Sequence, residues 1–183
     1  MTRSRLLSCA GSVAGTILLP TTGMASIYRP DARIRALWLR FTATNEEVRV
    51  PFTRDGRTVW KPGYYALSWL LRDHHVDPSV GYVAISLDLI EALWEMQQVL
   101  MSSRIRRPIN ITSGYRTAAT NGRIEGAVKN SQHIEGKAVD LYVDGVSNKD
   151  LFDICWSRSI TGGDGLYDDH IHVDSGPRRW WNG

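Results

Sequence analysis

Two short segments near the C-terminal end constrain this chain more than any other part of it: SQHIEGKAVD (Ser131 to Asp140) and DDHIHVD (Asp168 to Asp174). Between them they carry three of the five histidines, His133, His170 and His172, and four aspartates, Asp140, Asp168, Asp169 and Asp174. Lys137 to Val143 alternates and is rich in β-formers, so it predicts a strand with Asp140 in its middle. Gly136 allows a tight turn back from His133. His170 to Asp174 also alternates. Residues two apart on a strand share a face, which puts His170, His172 and Asp174 on one side and Ile171 and Val173 on the other. Hydrolytic zinc takes three protein ligands of the His/His/carboxylate kind and keeps one position open for water. Two such strands side by side can supply that set, plus a spare carboxylate to act as a base, and so point to a metallohydrolase. The pattern is not the helical one in which two histidines lie four apart. The competing reading is two polar strand faces with solvated histidines.

The same residues resemble the zinc peptidase family of D-Ala-D-Ala carboxypeptidases and murein endopeptidases, whose fold is shared with Hedgehog signalling domains. That family carries a Ser-x-His-x-x-Gly-x-Ala-x-Asp motif, which reads here as Ser131, His133, Gly136, Ala138 and Asp140 without a gap. Its second motif, an acidic residue three before the last histidine, reads as Asp169 and His172. Ser113-Gly-Tyr-Arg116 is similar to the family's arginine-bearing turn, and Asn121 and Gly126-Ala127 follow it. Thr53-Arg-Asp-Gly56, Leu70-Leu-Arg-Asp-His74 and the stretch from His172 to Trp180 resemble a small exported periplasmic branch. The likeness runs from about Ala36 to Trp181.

The resemblance implies roles. His133, Asp140 and His172 would hold zinc, Asp169 would be the general base, and Arg116 would bind the scissile carbonyl or its oxyanion. Each role has a physical basis: zinc brings the pKa of water to about 7, a carboxylate can move the proton, and a fixed guanidinium stabilises charge that develops in the transition state. Asp168 competes with Asp169, but the offset from His172 favours Asp169. His170 departs from the branch pattern. It is expected to stabilise the oxyanion or hold the base rather than ligate, because three protein ligands complete a catalytic zinc site.

The N-terminus reads as a secretory signal over residues 1–25: a basic start (Met1 to Arg5), an uncharged apolar run (Leu6 to Pro20) and a small-x-small site at Gly23-Met-Ala25. The run is shorter and richer in glycine than a spanning helix of about 20 residues. A retained membrane anchor is the alternative. Cys9 follows a weak lipobox-like string but lies too near the start for lipidation. Removal of this segment leaves 20 basic against 19 acidic side chains, a net charge of +1. No basic run interleaved with aromatics points to nucleic acid. Cys155 remains as a lone cysteine, so no intramolecular disulfide forms, and it reads as a packed core residue.

Residues 26–183 read as one zinc peptidase domain. Arg35–Arg40 and Val48–Phe52 alternate weakly, with a hairpin signal at Asp55-Gly56. Helices are expected over Tyr64–His74, from a Ser86 cap to Ser102, and from Ser147 to Arg158. Pro108–Thr112 is a buried strand, and Gly165 to Trp181 supplies two or three more. The expected fold is α+β, a mostly antiparallel sheet with helices on one face. His74 and His75, at a helix end, suit the helix dipole. Trp180 and Trp181 cover a core edge or line a groove.

The resulting expectation is an exported, periplasmic, monomeric zinc metallopeptidase that cleaves peptidoglycan crosslinks between stem peptides, with no nucleic-acid partner and no membrane span after cleavage. Alternatives are a D,D-carboxypeptidase trimming stem peptides, a catalytically silent zinc-binding module, and a peptidase of small D-dipeptides. Asp169 and Arg116 argue against the silent module, and export argues against the dipeptidase.

Overall fold

The computed structural model describes residues 34–183; the signal-peptide reading lies outside them. Seven strands form one sheet: β1 (Ala36–Phe41), β2 (Glu46–Pro51), β3 (Ile109–Ser113), β4 (Ala138–Tyr142), β5 (Gly163–Leu166), β6 (Ile171–Asp174) and β7 (Arg179–Asn182), in the order β2-β1-β3-β4-β6-β5-β7. The pairs β1–β2, β3–β4, β4–β6 and β5–β6 are antiparallel, while β1–β3 and β5–β7 are parallel. The α+β expectation therefore holds, with a mixed sheet that is antiparallel at its centre.

Strand alternation separates the two faces. Leu37, Leu39, Ile109, Ile111, Val139, Leu141, Ile171 and Val173 are buried together on one face. Helices α1 (Lys61–Leu70), α3 (Leu87–Ser102) and α5 (Asn148–Arg158) cover it, with Leu67, Leu93, Met96, Leu151 and Cys155 in the same cluster. Burial of this apolar surface is the main stabilising term. The neighbouring residues in each strand, Asn110, Ala138, Asp140, His172 and Asp174, face the other way and are buried as well. A polar face that is also buried must be satisfied by specific partners.

Several local elements differ from expectation. The β1–β2 connection turns at Asn45, a left-handed residue (φ 57) of a kind that tolerates it. Asp55-Gly56 lies outside the β1–β2 connection and turns the chain between Thr53 and Val59, which form an isolated antiparallel bridge. The Asp55 carboxylate accepts from the Arg57 and Thr58 N–H groups at 2.9 and 2.7 Å, closing a small loop locally. Helix α1 starts and ends earlier than predicted. Pro62 is preset for its first turn, and after Leu70 the chain leaves the helix to meet β3's end. Ser86 stands at the α3 cap position but makes no cap bond. Its N–H donates to Gly136 O at 2.9 Å and its hydroxyl shares a hydrogen bond with Ser175. Ser147 caps α5 as predicted, accepting from Asp150 N. Two short helices, α2 (Pro78–Gly81) and α4 (Ala118–Asn121), and a 3-10 turn at Gln132–Glu135 complete the described fold.

The segment after α1 forms a base plate. Leu71 O accepts from Tyr115 N at 2.8 Å. Gly114 is pressed so close to the Leu71 carbonyl that no Cβ fits there. Asp73, 2 % exposed, accepts from Thr117 N (2.9 Å), Thr117 Oγ1 (3.0 Å) and His75 N (3.0 Å). Burial pushes its carboxyl up, but hydrogen bonds from Thr120, Thr117 and His75 outweigh it and hold it below the usual carboxylate value. Replacing Asp73 by Asn leaves a buried donor without an acceptor, a loss of about 1–3 kcal/mol and roughly 2–4 °C in Tm for each kcal/mol. A carboxyl depressed in the folded state stabilises fully above its unfolded pKa of about 3.9 and loses that contribution as pH falls towards the folded value. Wild-type Tm should therefore drop more steeply than that of Asp73→Asn as pH is lowered below about 4; thermal melts at stepped pH check this, and equal acid slopes would contradict it.

Candidate metal centre

Sequence-local structure brings the first candidate ligand, His133, into place. Ser131 caps the 3-10 turn, accepting from His133 N at 3.3 Å, and Gly136 ends it in the left-handed region (φ 64). Lys137 N then returns to Gln132 O, and β4 begins at Ala138. The turn folds His133 back over Asp140. Register supplies the third ligand, because Asp140 on β4 stands directly opposite His172 on β6.

Three atoms converge. His133 Nε2 lies 3.2 Å from Asp140 Oδ1 and 3.2 Å from His172 Nδ1, and His172 Nδ1 lies 2.9 Å from Asp140 Oδ1. All three residues are buried, and among the described residues they form the one such cluster able to hold a metal ion. A tetrahedral ion with ligand bonds of about 2.0–2.1 Å needs donor atoms about 3.3 Å apart, so the triangle has the right size.

The outer hydrogen bonds fix the donor chemistry. His133 Nδ1 donates to Gly114 O at 2.7 Å, and His172 Nε2 donates to Asp174 Oδ2 at 3.1 Å. Each ring thereby keeps its proton on the outside and turns a lone pair inward, as metal-binding histidines do. Burial holds His133 towards its neutral form. Burial opposes protonation of His172 too, but the carboxylates of Asp140 and Asp174 on either side outweigh it and favour positive charge there. A cation held there would supply that charge. Burial works against ionisation of Asp140, yet its imidazole partners hold its carboxyl far below the usual range. Two lone pairs and a carboxylate facing one another in a buried site fit a zinc-type ion.

Asp174 is fully buried and its five bonds account for it. Oδ2 accepts from His172 Nε2 and from Arg179 Nη2 at 2.6 Å; Oδ1 accepts from Gly176 N, Gly163 N and Arg179 Nη1 at 2.8, 3.0 and 3.2 Å. Gly163 has no Cβ because one there would strike the Asp174 carboxylate and the Arg179 guanidinium. The sequence reading put Asp174 on the correct face but gave it no task. The signal was its position two residues beyond His172.

Arg116 follows β3, whose register against β4 is irregular between Ile111 and Ser113. Its Nε donates to Ser113 Oγ at 2.8 Å, its backbone N to His133 O at 3.2 Å, and its Nη2 to Asp140 Oδ2. It therefore braces the outer oxygen of a ligand while lining the cleft.

That cleft, about 410 Å³, opens on the three ligands and is walled by Arg116, Val128, Tyr167, His170, Arg179 and Trp181. Of the residues singled out in the sequence, His133, Asp140, His172, Arg116 and His170 line it. Asp169 does not. Its side chain is 87 % exposed, and it holds His170 Nδ1 from outside at 2.6 Å. His170 Nε2 points inward, 4.0 Å from Asp140 Oδ1. Asp168 is exposed, and its carbonyl is tied to Asn148 Nδ2. His74 is away from the centre, as expected: its ring bonds Leu70 O at the end of α1 and stacks on Phe41. Cys155 is buried with its thiol pushed up by burial, which suits a packed residue and not a nucleophile. Trp181 lines the cleft, settling the groove alternative for that ring.

Comparison with known proteins identifies the family. The family model described as peptidoglycan L,D-endopeptidase MepK matches residues 29–181. The peptidoglycan L,D-endopeptidase MepK of Escherichia coli (strain K12) is 30% identical over 185 residues, which cover 98% of this chain and 96% of that protein. The protein of the same name from Shigella flexneri matches to the same extent. The probable peptidoglycan L,D-endopeptidase MepK of Haemophilus influenzae is 31% identical over 196 residues, covering 99% of this chain and 96% of its own. The chain belongs to the MepK family of murein endopeptidases, within the wider family of metallopeptidases that its two histidine motifs resemble.

Proposed function

We propose that this chain is an exported zinc metallopeptidase that cuts peptide crosslinks of peptidoglycan, with the L,D linkage named for its relatives as its target. The observation that carries the reading is the buried convergence of His133 Nε2, Asp140 Oδ1 and His172 Nδ1 at the floor of an open cleft. Export rests on the signal pattern of residues 1–25. Among the described residues no helix is long and apolar enough to cross a membrane.

Zinc held there supplies Lewis acidity towards water and the scissile carbonyl. The remaining work belongs to the chain. Asp174 and the Gly114 carbonyl keep both imidazoles in the ligating tautomer. Arg116 presents a guanidinium beside Asp140, where negative charge develops on the carbonyl oxygen. His170 lines the cleft with its Nε2 4.0 Å from Asp140 Oδ1, beside the candidate metal centre, so it accepts the proton from attacking water and returns it to the leaving amine. Asp169 holds the far nitrogen of that ring, which orients it. This divides between two residues the base role that sequence resemblance assigned to Asp169 alone.

Metal analysis of the protein should find about one zinc equivalent. His133→Ala should abolish it, and Asp174→Ala should weaken zinc affinity by about tenfold to a hundredfold through loss of the outer hydrogen bond. Full occupancy in His133→Ala would remove that residue from the ligand set.

His170→Ala should keep zinc and lose about a hundredfold to ten-thousandfold in turnover. Asp169→Asn should cost less, about tenfold to a hundredfold. Steady-state rates on crosslinked muropeptides rank the two, and the reverse order would return the base role to Asp169.

The function itself is tested by digesting crosslinked muropeptide dimers with wild type, Arg116→Ala and a chelated sample. Monomers should appear with wild type, with Arg116→Ala slower by more than about a hundredfold, and not after chelation. Release of a terminal D-alanine alone would make the protein a carboxypeptidase. Intact stem peptides in every sample would make it a silent zinc module.

A further inference from the structure

Tyr167 has a hydroxyl for which neither the fold nor the roles above account. It follows β5, where its backbone N donates to His170 O at 3.1 Å, closing the turn into β6. Its ring lies flat against the His170 imidazole, with centroids 4.5 Å apart and planes at 8°. Its Oη accepts a hydrogen bond from Trp181 Nε1 at 2.9 Å. The direction of that bond is unambiguous, because an indole N–H can only donate. The phenol's own proton must therefore point elsewhere, and among the described residues no hydrogen-bond acceptor takes it. Tyr167, His170 and Trp181 all line the cleft.

The group that sets this direction is itself fixed. Strand β7 pairs with β5, placing Trp181 opposite Gly165. A Cβ on Gly165 would lie 2.7–2.8 Å from the indole, so glycine there lets the ring lie on the sheet. The indole centroid is 5.2 Å from that of His172, and the Arg179 guanidinium covers its other side at 5.1 Å. The indole N–H thus occupies one side of the Tyr167 oxygen and leaves the phenolic donor for another partner, in a residue that lines the cleft of the candidate metal centre. A preset donor costs little to order when a ligand binds.

We propose that Tyr167 contacts substrate: its Oη–H donates to a carbonyl or carboxylate oxygen of the bound stem peptide and helps to select it, and Trp181 is the positioning residue that aims it. A peptide rich in oxygen acceptors is the ligand class that this donor fits, in a cleft that Arg116 and Arg179 also line. The proposal rests on the endopeptidase reading for the identity of the peptide, but not for the direction of the donor.

The test uses zinc-loaded protein and crosslinked muropeptide dimers. Tyr167→Phe keeps the ring stacked on His170 and removes only the hydroxyl. It should lower kcat/KM by about tenfold, chiefly through KM, with zinc content unchanged. In a Trp181→Phe background the same substitution should cost less than about threefold, because the phenol is no longer aimed; this coupling is the readout that a merely structural role for Trp181 would not produce. An unchanged KM in Tyr167→Phe overturns the substrate contact. An undiminished penalty in the Trp181→Phe background overturns the positioning role. If wild type binds the dimer without cutting it, the endopeptidase reading fails, and calorimetric affinities of wild type and Tyr167→Phe still decide: a roughly tenfold difference in Kd supports the contact and equality overturns it. A wild type that neither binds nor cuts overturns both.

Discussion

The cross-strand pairing of Asp140 with His172 is the constraint on which the rest of this molecule depends. Side chains alternate along a strand, so a slip of one residue between β4 and β6 would send one of these groups into the apolar core and bring Val139 or Val173 to the site. The register is held from the core side, where Val139, Leu141, Ile171 and Val173 pack under α3 and α5. The apolar face thus fixes the geometry of the polar face. That coupling lets a buried cluster of two imidazoles and a carboxylate exist opposite a conventional core.

Around this pair the protein spends a second layer of polar groups on orientation. Asp174 aligns His172 and is itself held by Arg179 and two backbone N–H groups. The Gly114 carbonyl aligns His133, and Arg116 braces Asp140. Gly114 and Thr117 in turn rest on Leu71 and Asp73, at the end of α1. Each chain of contacts runs from a ligand to a rigid element within a few bonds. A buried polar network satisfied in this way is rigid, and the low dielectric that strengthens it also makes any missing partner costly. The glycines at 114, 163 and 165 mark the places where backbone or ring must come closer than a side chain permits.

Much of this was legible in the chain itself. Alternation and turn residues predicted strands β4 and β6 and the face shared by His172 and Asp174. The spacing of His133, Gly136 and Asp140 described a local turn, and the structure contains it. Helix α3 over Leu87–Ser102 and the Ser147 cap of α5 were read from periodicity and capping chemistry. Less legible were features whose partners are distant in sequence. Ser86 looks like a helix cap, but its hydroxyl reaches Ser175. The local chemistry was correct, while the choice of partner depended on packing.

By itself, then, the sequence determined the candidate ligand types, the elements that carry them and the class of chemistry they point to, because those depend on spacings of two to seven residues within one strand or turn. The tertiary structure alone decided which groups surround them. It bound Asp174 to Gly163 of the neighbouring strand, brought Asp73 under the arginine turn, and set Trp181 against Tyr167. These relations join residues across strand pairings and helix ends, where direction and burial follow from how the sheet packs and twists. No spacing along the chain encodes that packing.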